Sequence, residues 1–429
     1  MALTINEQPY DWTPRGQKLI YDLTSTNSGN AGFRFGIEVT DTASGKVYFF
    51  YLQPSPDGHI YFDLSPLVNL HNYEGTNVHI STAATYTETV GNGWNLYELV
   101  FSEWWIVDGV LTQNEGVDET TETAVFNAYY QPTDGFRPNV FGSSNFDIRF
   151  SLNSANAYAM SDRKTNTHVW PLAESMGITL TAGQVFIPTL DSDYGLLMVP
   201  GVATYLSPTL AAKYRVTLVS ATGSTSILEV NFAENILEGI PCGPQNLKNS
   251  TVPSMPDPTS SPGWRYYIIQ CYSKASAQAS VRYYFYNAEY YGQYDCRYDN
   301  VRLAFVNSRG GWDYFNFIKK SEITDNVERK QFKRVLFNGT SSIFTQYDRQ
   351  LYDRQNIVTQ TLTVTSDWIQ ENEYIFLRSL LASNQVQILS GTDMRPVSLT
   401  ETSFLERRER NGKLYNVTLK LSYSQDYWT

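Results

Sequence analysis

Apolar and polar residues alternate with a period of two through most of the chain, and this pattern constrains the fold most strongly. Successive side chains of a β-strand point to opposite faces, so strict alternation indicates strands with one buried face. The alternation is clearest in two segments, in which apolar residues take every second position: Phe33, Phe35, Ile37 and Val39, and then Tyr415, Val417, Leu419, Leu421 and Tyr423. The sequence therefore predicts a mainly β protein.

Turn sequences separate the predicted strands at short intervals. They include residues 27–32 (NSGNAG), 41–45 (DTASG), 91–93 (GNG) and 221–224 (ATGS). Asn411 and Gly412 give the strongest hairpin signal, since a type I′ turn needs positive φ at both central positions. Short strands with frequent turns are typical of antiparallel sandwiches. We therefore expect several antiparallel β-sandwich domains, with a hairpin at 411–412.

One segment, residues 367–383 (DWIQENEYIFLRSLLAS), has a helical pattern instead. Asp367 can cap the helix, and Gln370 completes a pair that resembles a capping box. The apolar stripe is formed by Ile369, Phe376, Leu377, Leu380 and Leu381. This pattern predicts one short helix that packs on a sheet in the C-terminal part of the chain.

Composition along the chain suggests three domains. Residues 113–123 are polar and acidic, and residues 131–139 contain two prolines, so we place the first boundary near residue 135. Residues from 319 onward are richer in Arg and Lys. The predicted domains are an N-terminal sandwich at 1–135, a middle sandwich with long loops at 136–318, and a β-rich domain at 319–429. The proline-rich residues 243–263 are interpreted as a surface loop of the middle domain.

Charge and composition disfavour several classes of protein. The net charge is −11 and no basic block is present, so we expect no nucleic-acid partner. No apolar run of about 18 residues exists, so no membrane span is expected. The three Cys form no C-x-x-C pair, and we expect no metal site and no cofactor. Asp191 and Asp193 resemble the start of a calcium loop, but Val202 stands where a Glu ligand is required.

No catalytic arrangement stands out, and we expect the protein not to be an enzyme. Glycoside hydrolysis needs two carboxylates about 5 to 9 Å apart. Glu98 with Glu103, and Asp295 with Asp299, are the pairs that lie closest to aromatic residues. Nothing in the sequence indicates that either pair converges, so no catalytic residue is assigned.

The candidate contact residues are aromatic. Residues 281–299 are dense in Tyr, a side chain that combines a large apolar face with a hydroxyl and suits strand packing, subunit interfaces and sugar contacts alike. These three interpretations stay open for Tyr283, Tyr284, Tyr286, Tyr290 and Tyr291. Trp104 and Trp105 are candidates for contact with carbohydrate.

Four further residues complete the set of candidates. Trp312 and Phe315 follow a glycine turn, and we expect both to be buried anchors. Arg407 and Arg408 lie in residues 406–413 (ERRERNGK), which form either a solvated hairpin tip or a contact with an acidic neighbouring subunit.

Several segments, taken in their order along the chain, resemble virion proteins of tailed bacteriophages that infect Bacteroidetes-type bacteria. They are residues 5–9 (INEQP), the alternating strand at Phe33, residues 56–65 (PDGHIYFDLS), 97–109 (YELVFSEWWIVDG), 240–247 (IPCGPQNL), 303–317 (LAFVNSRGGWDYFNF) and 366–388, followed by Pro396 and Val397.

The resemblance implies a structural virion component, at the distal tail, the baseplate or the neck. Such a protein assembles in the host cytoplasm as a ring or other symmetric homo-oligomer, with other tail proteins as partners. The resemblance implies no catalytic residue. The alternative is a receptor- or carbohydrate-binding tail module that contacts a glycan on the host surface.

Overall fold

The computed structural model confirms a mainly β chain with several antiparallel sheets. It describes residues 3–9, 12–15, 18–70, 88–89, 94–114, 118–126, 161–163, 175–181, 184–200, 211–232, 237–250, 252–260, 263–273, 281–294, 297–334, 350–391, 393–400 and 414–424. Within these residues the peptide bonds are trans.

The N-terminal part is a sandwich of two sheets. Its strands are β1 (Leu3–Glu7), β2 (Trp12–Pro14), β3 (Ile20–Ser25), β4 (Arg34–Asp41), β5 (Lys46–Leu52), β6 (His59–Asp63), β8 (Trp94–Val107), β9 (Val110–Gln113) and β10 (Glu119–Phe126), with helix α1 (Ser65–Leu70) after β6. Strand β7 (Glu88–Thr89) lies between α1 and β8 in the chain but pairs with the middle part. One sheet has the order β1-β3-β6, and the other has β2-β10-β8-β4-β5, with β9 on β8. Phe35, Ile37 and Val39 are fully buried between the sheets, as the alternation predicts.

The middle part is a second sandwich. Its strands are β11 (Gln184–Thr189), β12 (Leu196–Pro200), β13 (Ala211–Val219), β14 (Thr225–Asn231), β15 (Leu237–Pro241), β16 (Tyr266–Ser273) and β17 (Arg282–Asn287). A five-stranded sheet has the order β11-β17-β16-β13-β14, and a three-stranded sheet has the order β12-β15-β7. Their facing residues form one core, which includes Val199, Val216 and Ile269.

The proline-rich residues 243–263 are not only a surface loop, as predicted. They begin with a short helix, α2 (Pro244–Lys248), whose Leu247 lies in the core of the middle sandwich. Gly243 precedes this helix and lies so close to the chain at residues 193–195 that a Cβ here would be 2.5 Å from the Asp193 carbonyl oxygen. The apolar Leu247 explains the correction, because its burial draws the segment inward.

The C-terminal part is a seven-stranded sheet covered by a helix. The elements are β18 (Val301–Val306), β19 (Trp312–Phe317), β20 (Glu322–Lys333), β21 (Leu351–Thr365), β22 (Ile369–Gln370), α3 (Glu371–Ala382), β23 (Val386–Ser390), β24 (Asp393–Leu399), β25 (Leu414–Tyr415) and β26 (Thr418–Tyr423). The sheet order is β19-β18-β23-β24-β26-β21-β20. Helix α3 packs on one face, with Phe376 against Phe305 at 5.5 Å between ring centroids. The predicted helix on a sheet is confirmed.

The predicted start of this helix is wrong. Helix α3 begins at Glu371 with Gln370 as N-cap, and Asp367 instead accepts a hydrogen bond from the Trp368 amide at 2.7 Å. The reason is a competing strand pair, because Ile369 and Gln370 pair with Tyr415 and Leu414. The hairpin predicted at Asn411 and Gly412 lies outside the described residues.

The seven-stranded sheet crosses the second predicted boundary. Strands β18 and β19 precede residue 318, and β18 pairs with β23, which follows it. The early strand β7 likewise pairs with β15 of the middle sandwich. The division into three domains stays a prediction, but strand pairing places β18 and β19 with the C-terminal part.

We predict that Trp312→Ala lowers the free energy of unfolding by about 3–5 kcal/mol, the usual cost of removing a buried Trp side chain. Trp312 is 2% exposed, as expected for an anchor, and Trp368, 66% exposed, offers a matched control. Denaturant unfolding of both alanine variants measures the difference. Equal midpoints for the parent and Trp312→Ala would contradict the prediction.

Candidate interaction surfaces

The first candidate carboxylate pair does not converge. Glu98 and Glu103 point to opposite faces of β8, with Glu98 exposed and Glu103 fully buried. The Glu103 carboxylate accepts hydrogen bonds from Asn27 Nδ2 at 2.8 Å and from Asn114 Nδ2 at 2.9 Å, and also from the Ser25 hydroxyl. Glu103 therefore holds two loops against β8. Of the second pair, Asp295 lies outside the described residues.

Asp193 joins the middle sandwich to the C-terminal sheet. Arg302 of β18 donates from Nη1 to Asp193 Oδ2 at 2.9 Å, and its Nε and Nη2 both donate to the Tyr194 carbonyl oxygen. Asn316 of β19 donates from Nδ2 to the same Asp193 oxygen at 2.8 Å. Asp193 is 2% exposed. The loop that resembles a calcium site therefore holds the Arg302 guanidinium.

A second polar cluster lies at the end of β18 and β19. Asp162 accepts hydrogen bonds from the amide and the hydroxyl of Ser308 and lies 3.5 Å from Arg309 Nε. Asp313 accepts from the Ser161 hydroxyl at 2.6 Å and from the Asp162 amide at 2.9 Å. Both carboxylates are buried, so this cluster attaches residues 161–163 to the C-terminal sheet.

Burial shifts the protonation of this cluster. Desolvation raises the pKa of the Asp162 carboxyl from 3.8 to about 6, although Arg309 opposes the shift, and desolvation also raises the pKa of Asp313. Carboxyls with raised pKa can act in proton transfer. Both carboxylates are buried and hydrogen-bonded within their own chain, and this structural hydrogen bonding accounts for them.

The tyrosines of β17 pack inside the molecule. Tyr283 lies in the core between the middle sheets, whereas Tyr284 and Tyr286 lie on the other face in a second cluster with Phe186. Tyr284 stacks on Phe186 at 4.8 Å between ring centroids. All three are at most 5% exposed, which favours strand packing among the three interpretations that the sequence leaves open.

The other predicted residues are distributed over the molecule. Tyr290 is 44% exposed and packs edge-on against the half-buried Tyr291. Trp105 is half-buried and stacks on Phe33 of the N-terminal core. Trp312 and Phe315 are buried. Arg407 and Arg408 lie outside the described residues, so their two interpretations stay open.

Trp104 belongs to an exposed aromatic patch, which consists of Phe49, Tyr51 and Trp104 on the outer face of the N-terminal sandwich. The ring centroids of Tyr51 and Trp104 are 5.2 Å apart, and those of Phe49 and Tyr51 are 4.8 Å apart. Phe49 is 44% and Tyr51 42% exposed. Sequence analysis found Trp104 but not its two partners, which depend on the pairing of β5 with β4 and of β4 with β8.

Gly36 makes the patch possible. A Cβ at this position would lie 2.5 Å from both Ser102 Oγ and Trp104 Nε1. The missing side chain lets the indole lie across β4, where Trp104 Nε1 donates a hydrogen bond to Ser102 Oγ at 2.9 Å. The indole is therefore held in one orientation and its N–H has a hydrogen-bond partner. Its apolar ring surface is left to make a contact.

Strands β20 and β21 extend beyond the sheet as a two-stranded ribbon, which we call the arm. The β26 strand pairs with β21 only at Thr361–Thr365, whereas β20 pairs with β21 from Glu322 to Lys333. The residues from Asp325 to Lys333 therefore extend for about 30 Å without a third described strand. Every residue of β20 is exposed.

The arm carries apolar side chains that its own chain leaves exposed. Ile323 is 61%, Val327 48%, Phe332 48% and Leu351 47% exposed. Phe332 stacks on Tyr352 across the ribbon at 5.6 Å between ring centroids. An isolated two-stranded ribbon is marginally stable in water, so this exposed surface indicates a contact with another molecule.

Sequence analysis missed the arm. It noted only that residues after 318 are richer in Arg and Lys. The signal that could have found it is the weak alternation of 322–333 (EITDNVERKQFK), in which both faces carry charges and neither is continuously apolar. A strand with no buried face is typical of a ribbon that lies outside a core.

Similarity to known proteins assigns no functional site to this chain. No protein-family model matches the chain, and comparison with curated proteins finds no match. Among the described residues, no group of three His, Cys, Asp or Glu side chains could hold a metal ion. Within the same residues, no helix is long and apolar enough to cross a membrane.

We predict that Asp162→Asn changes how stability depends on pH. The folded chain binds the Asp162 proton more tightly than the unfolded chain, because the pKa is raised from 3.8 to about 6. Ionisation of this group therefore lowers the free energy of unfolding as pH rises through that interval. The stability of Asp162→Asn relative to the parent should increase between about pH 4 and pH 7 and level off above.

Urea unfolding at a series of pH values measures this difference. The variant can be less stable at every pH, because Asn replaces only part of the hydrogen bonding to Ser308; only the slope tests the prediction. Asp108→Asn, at an exposed turn, is the matched control for losing a carboxylate. A difference that stays constant from pH 4 to 7 would contradict the raised pKa.

Proposed function

We propose that this chain is a structural component of a tailed-bacteriophage virion, a homo-oligomeric tail adaptor at the distal tail, the baseplate or the neck. In this proposal the arm joins neighbouring subunits. Other tail proteins bind the assembled ring. The observation that carries the proposal is the arm, because its exposed apolar residues have no core of their own.

The arm suits assembly for a physical reason. A ribbon about 30 Å long reaches well outside the subunit that carries it, and its outer strand β20 ends the sheet with backbone groups available for pairing. Such edges add to the sheets of partner chains through main-chain hydrogen bonds. The strands of the arm are also strands of the seven-stranded sheet, so a contact at the outer part of the arm is connected directly to a packed core.

The phage context is supported by the sequence resemblance and agrees with the character of the fold. The resembling segments 97–109 and 303–317 contribute β8, β18 and β19, which form sheet cores. A virion component needs large subunit contacts and no catalytic centre. The buried carboxylates at Glu103, Asp193 and Asp313 serve the fold, and this is consistent with a structural role.

We predict that Phe332→Ser combined with Leu351→Ser weakens self-association about 30-fold or more, as for loss of a central interface contact of about 2 kcal/mol. Both residues are exposed, so their replacement leaves the core of each subunit intact. Sedimentation equilibrium over a concentration series measures the association constant. Ile227→Ser is the matched control, because Ile227 is 60% exposed on the edge strand β14.

Two results would contradict the proposal. A parent protein that sediments as a monomer at the highest concentration reached would exclude a homo-oligomer. Equal association constants for the arm variant and the Ile227→Ser control would exclude the arm as the contact. The phage context is tested separately by quantitative mass spectrometry of purified particles, in which the proposal requires the chain at a fixed copy number per virion.

A further inference from the structure

We propose that the arm of one subunit docks on the outer face of the N-terminal sandwich of a second copy, over the aromatic patch and along strand β5. This inference rests on the proposed function and names the partner surface of the arm. Three observations support it: the exposed edge at β5, the apolar residues beside that edge, and the charges on the two surfaces.

Strand β5 is an edge strand that exposes apolar side chains. It ends the sheet order β2-β10-β8-β4-β5, and Val47, Phe49 and Tyr51 are 57%, 44% and 42% exposed on its outer face. Long apolar edge strands pair readily with other chains unless they are protected by charge, proline or a bulge. Lys46 is the only charged residue in β5, and the strand has no proline. The edge is therefore suited to accept a strand.

The arm offers a strand of matching character. Its outer strand β20 ends the other sheet, and it carries exposed Ile323 and Val327 on one face among polar residues. Addition of β20 to β5 satisfies backbone groups on both edges, and the side chains of the arm then lie beside Phe49 and Tyr51. One contact covers the exposed apolar surface of both.

The charges of the two surfaces are complementary. The outer face of the N-terminal sheet carries the carboxylates of Glu38, Glu98 and Glu122, and the cation Arg34 opposite Trp104. Of these carboxylates Glu38 is the one nearest to β5, where a cation on an added strand can reach it. The outer part of the arm supplies exposed cations: Arg329, Lys330, Lys333, Arg334 and Arg354. Its anions in the same part are Asp325, Glu328 and Asp353, so the cations outnumber the anions.

The proposed contact joins two different surfaces, so it is heterologous. After the first contact forms, the pair still has one unused arm and one unused patch. Repetition of such a contact closes into a ring when the rotation between subunits divides a full turn. This geometry fits a ring-shaped assembly and needs no second type of interface.

Charge reversal on each side, followed by combination, tests the pairing. We predict that Arg329→Glu with Lys330→Glu and Lys333→Glu weakens self-association about tenfold or more, and that Glu38→Lys, which reverses the carboxylate beside Phe49, weakens it as well. The combined protein, with both sets of substitutions, should recover most of the affinity, since the complementary charges are restored. The parent's association constant should also fall as salt increases.

The matched control reverses charges elsewhere on the surface, with Lys213→Glu, Arg215→Glu and Glu229→Lys, which exchange the partners of the existing ion pairs on the β13–β14 hairpin. Sedimentation equilibrium measures all variants, and circular dichroism melting checks that each one folds. An additional variant, Tyr51→Ser, removes part of the patch without a change of charge and should also weaken association.

The outcomes separate this inference from the proposed function. If arm variants weaken association but the face variants and Tyr51→Ser do not, the docking site is wrong and the assembly role stands. If the parent never associates, both are wrong. If Tyr51→Ser leaves association unchanged but abolishes binding to a glycan array that the parent recognises, the patch is a carbohydrate site and the inference is overturned.

Discussion

The buried contact between Arg302 and Asp193 fixes the sheet that carries the arm to the rest of the molecule. Three guanidinium nitrogens of Arg302 bind Asp193 and the carbonyl oxygen of Tyr194, and Asn316 binds the same carboxylate. Buried charges are tolerated only when such hydrogen bonds are complete. Arg302 also lies over the Tyr314 ring, whose hydroxyl accepts a hydrogen bond from the Leu196 amide at 3.0 Å. The edge of the sheet opposite the arm is therefore held through β18 and β19, with β23, β24 and β26 between that edge and the arm.

The arm extends from a sheet that is fixed to the rest of the molecule. Among the described residues no second layer of side chains covers the outer ribbon, and in our proposal a partner subunit supplies the missing packing. Strand β5 is the second sheet edge with exposed apolar surface. Aromatic side chains are exposed there, beside Trp104, which is held in place by a hydrogen bond to Ser102 and by the close approach of Gly36. The chain thus exposes apolar surface at two sheet edges. Head-to-tail association brings these edges together in one contact.

The sequence predicted the parts of this fold that depend on local periodicity. The alternation at 33–39 and at 417–421 marks buried strand faces, and the apolar stripe of 369–381 marks the helix, because a single core face imposes each pattern. The predicted N-cap at Asp367 is wrong because Ile369 and Gln370 pair with a strand distant in sequence, Leu414–Tyr415. Local capping signals cannot show such a pairing.

The candidate contacts were harder to predict, since exposure depends on what covers a strand. Tyr283, Tyr284 and Tyr286 are buried because β17 has a layer on each of its two faces, and a run of aromatic residues does not reveal how many layers surround it. Trp104 was found from its residue type, but Phe49 joins it only through the lateral pairing of β5, β4 and β8. The arm has no strong local signal at all, because a ribbon outside the core needs no apolar face.

Hydrogen–deuterium exchange at increasing protein concentration tests the central claim most directly. The amides of 325–333 and 351–360 are the ones that an intersubunit contact would cover. The account predicts that their exchange slows as association proceeds, in parallel with peptides from β5, whereas peptides from the exposed edge strand β14 keep their rate. Exchange of the arm that stays fast in the fully associated protein would contradict the account.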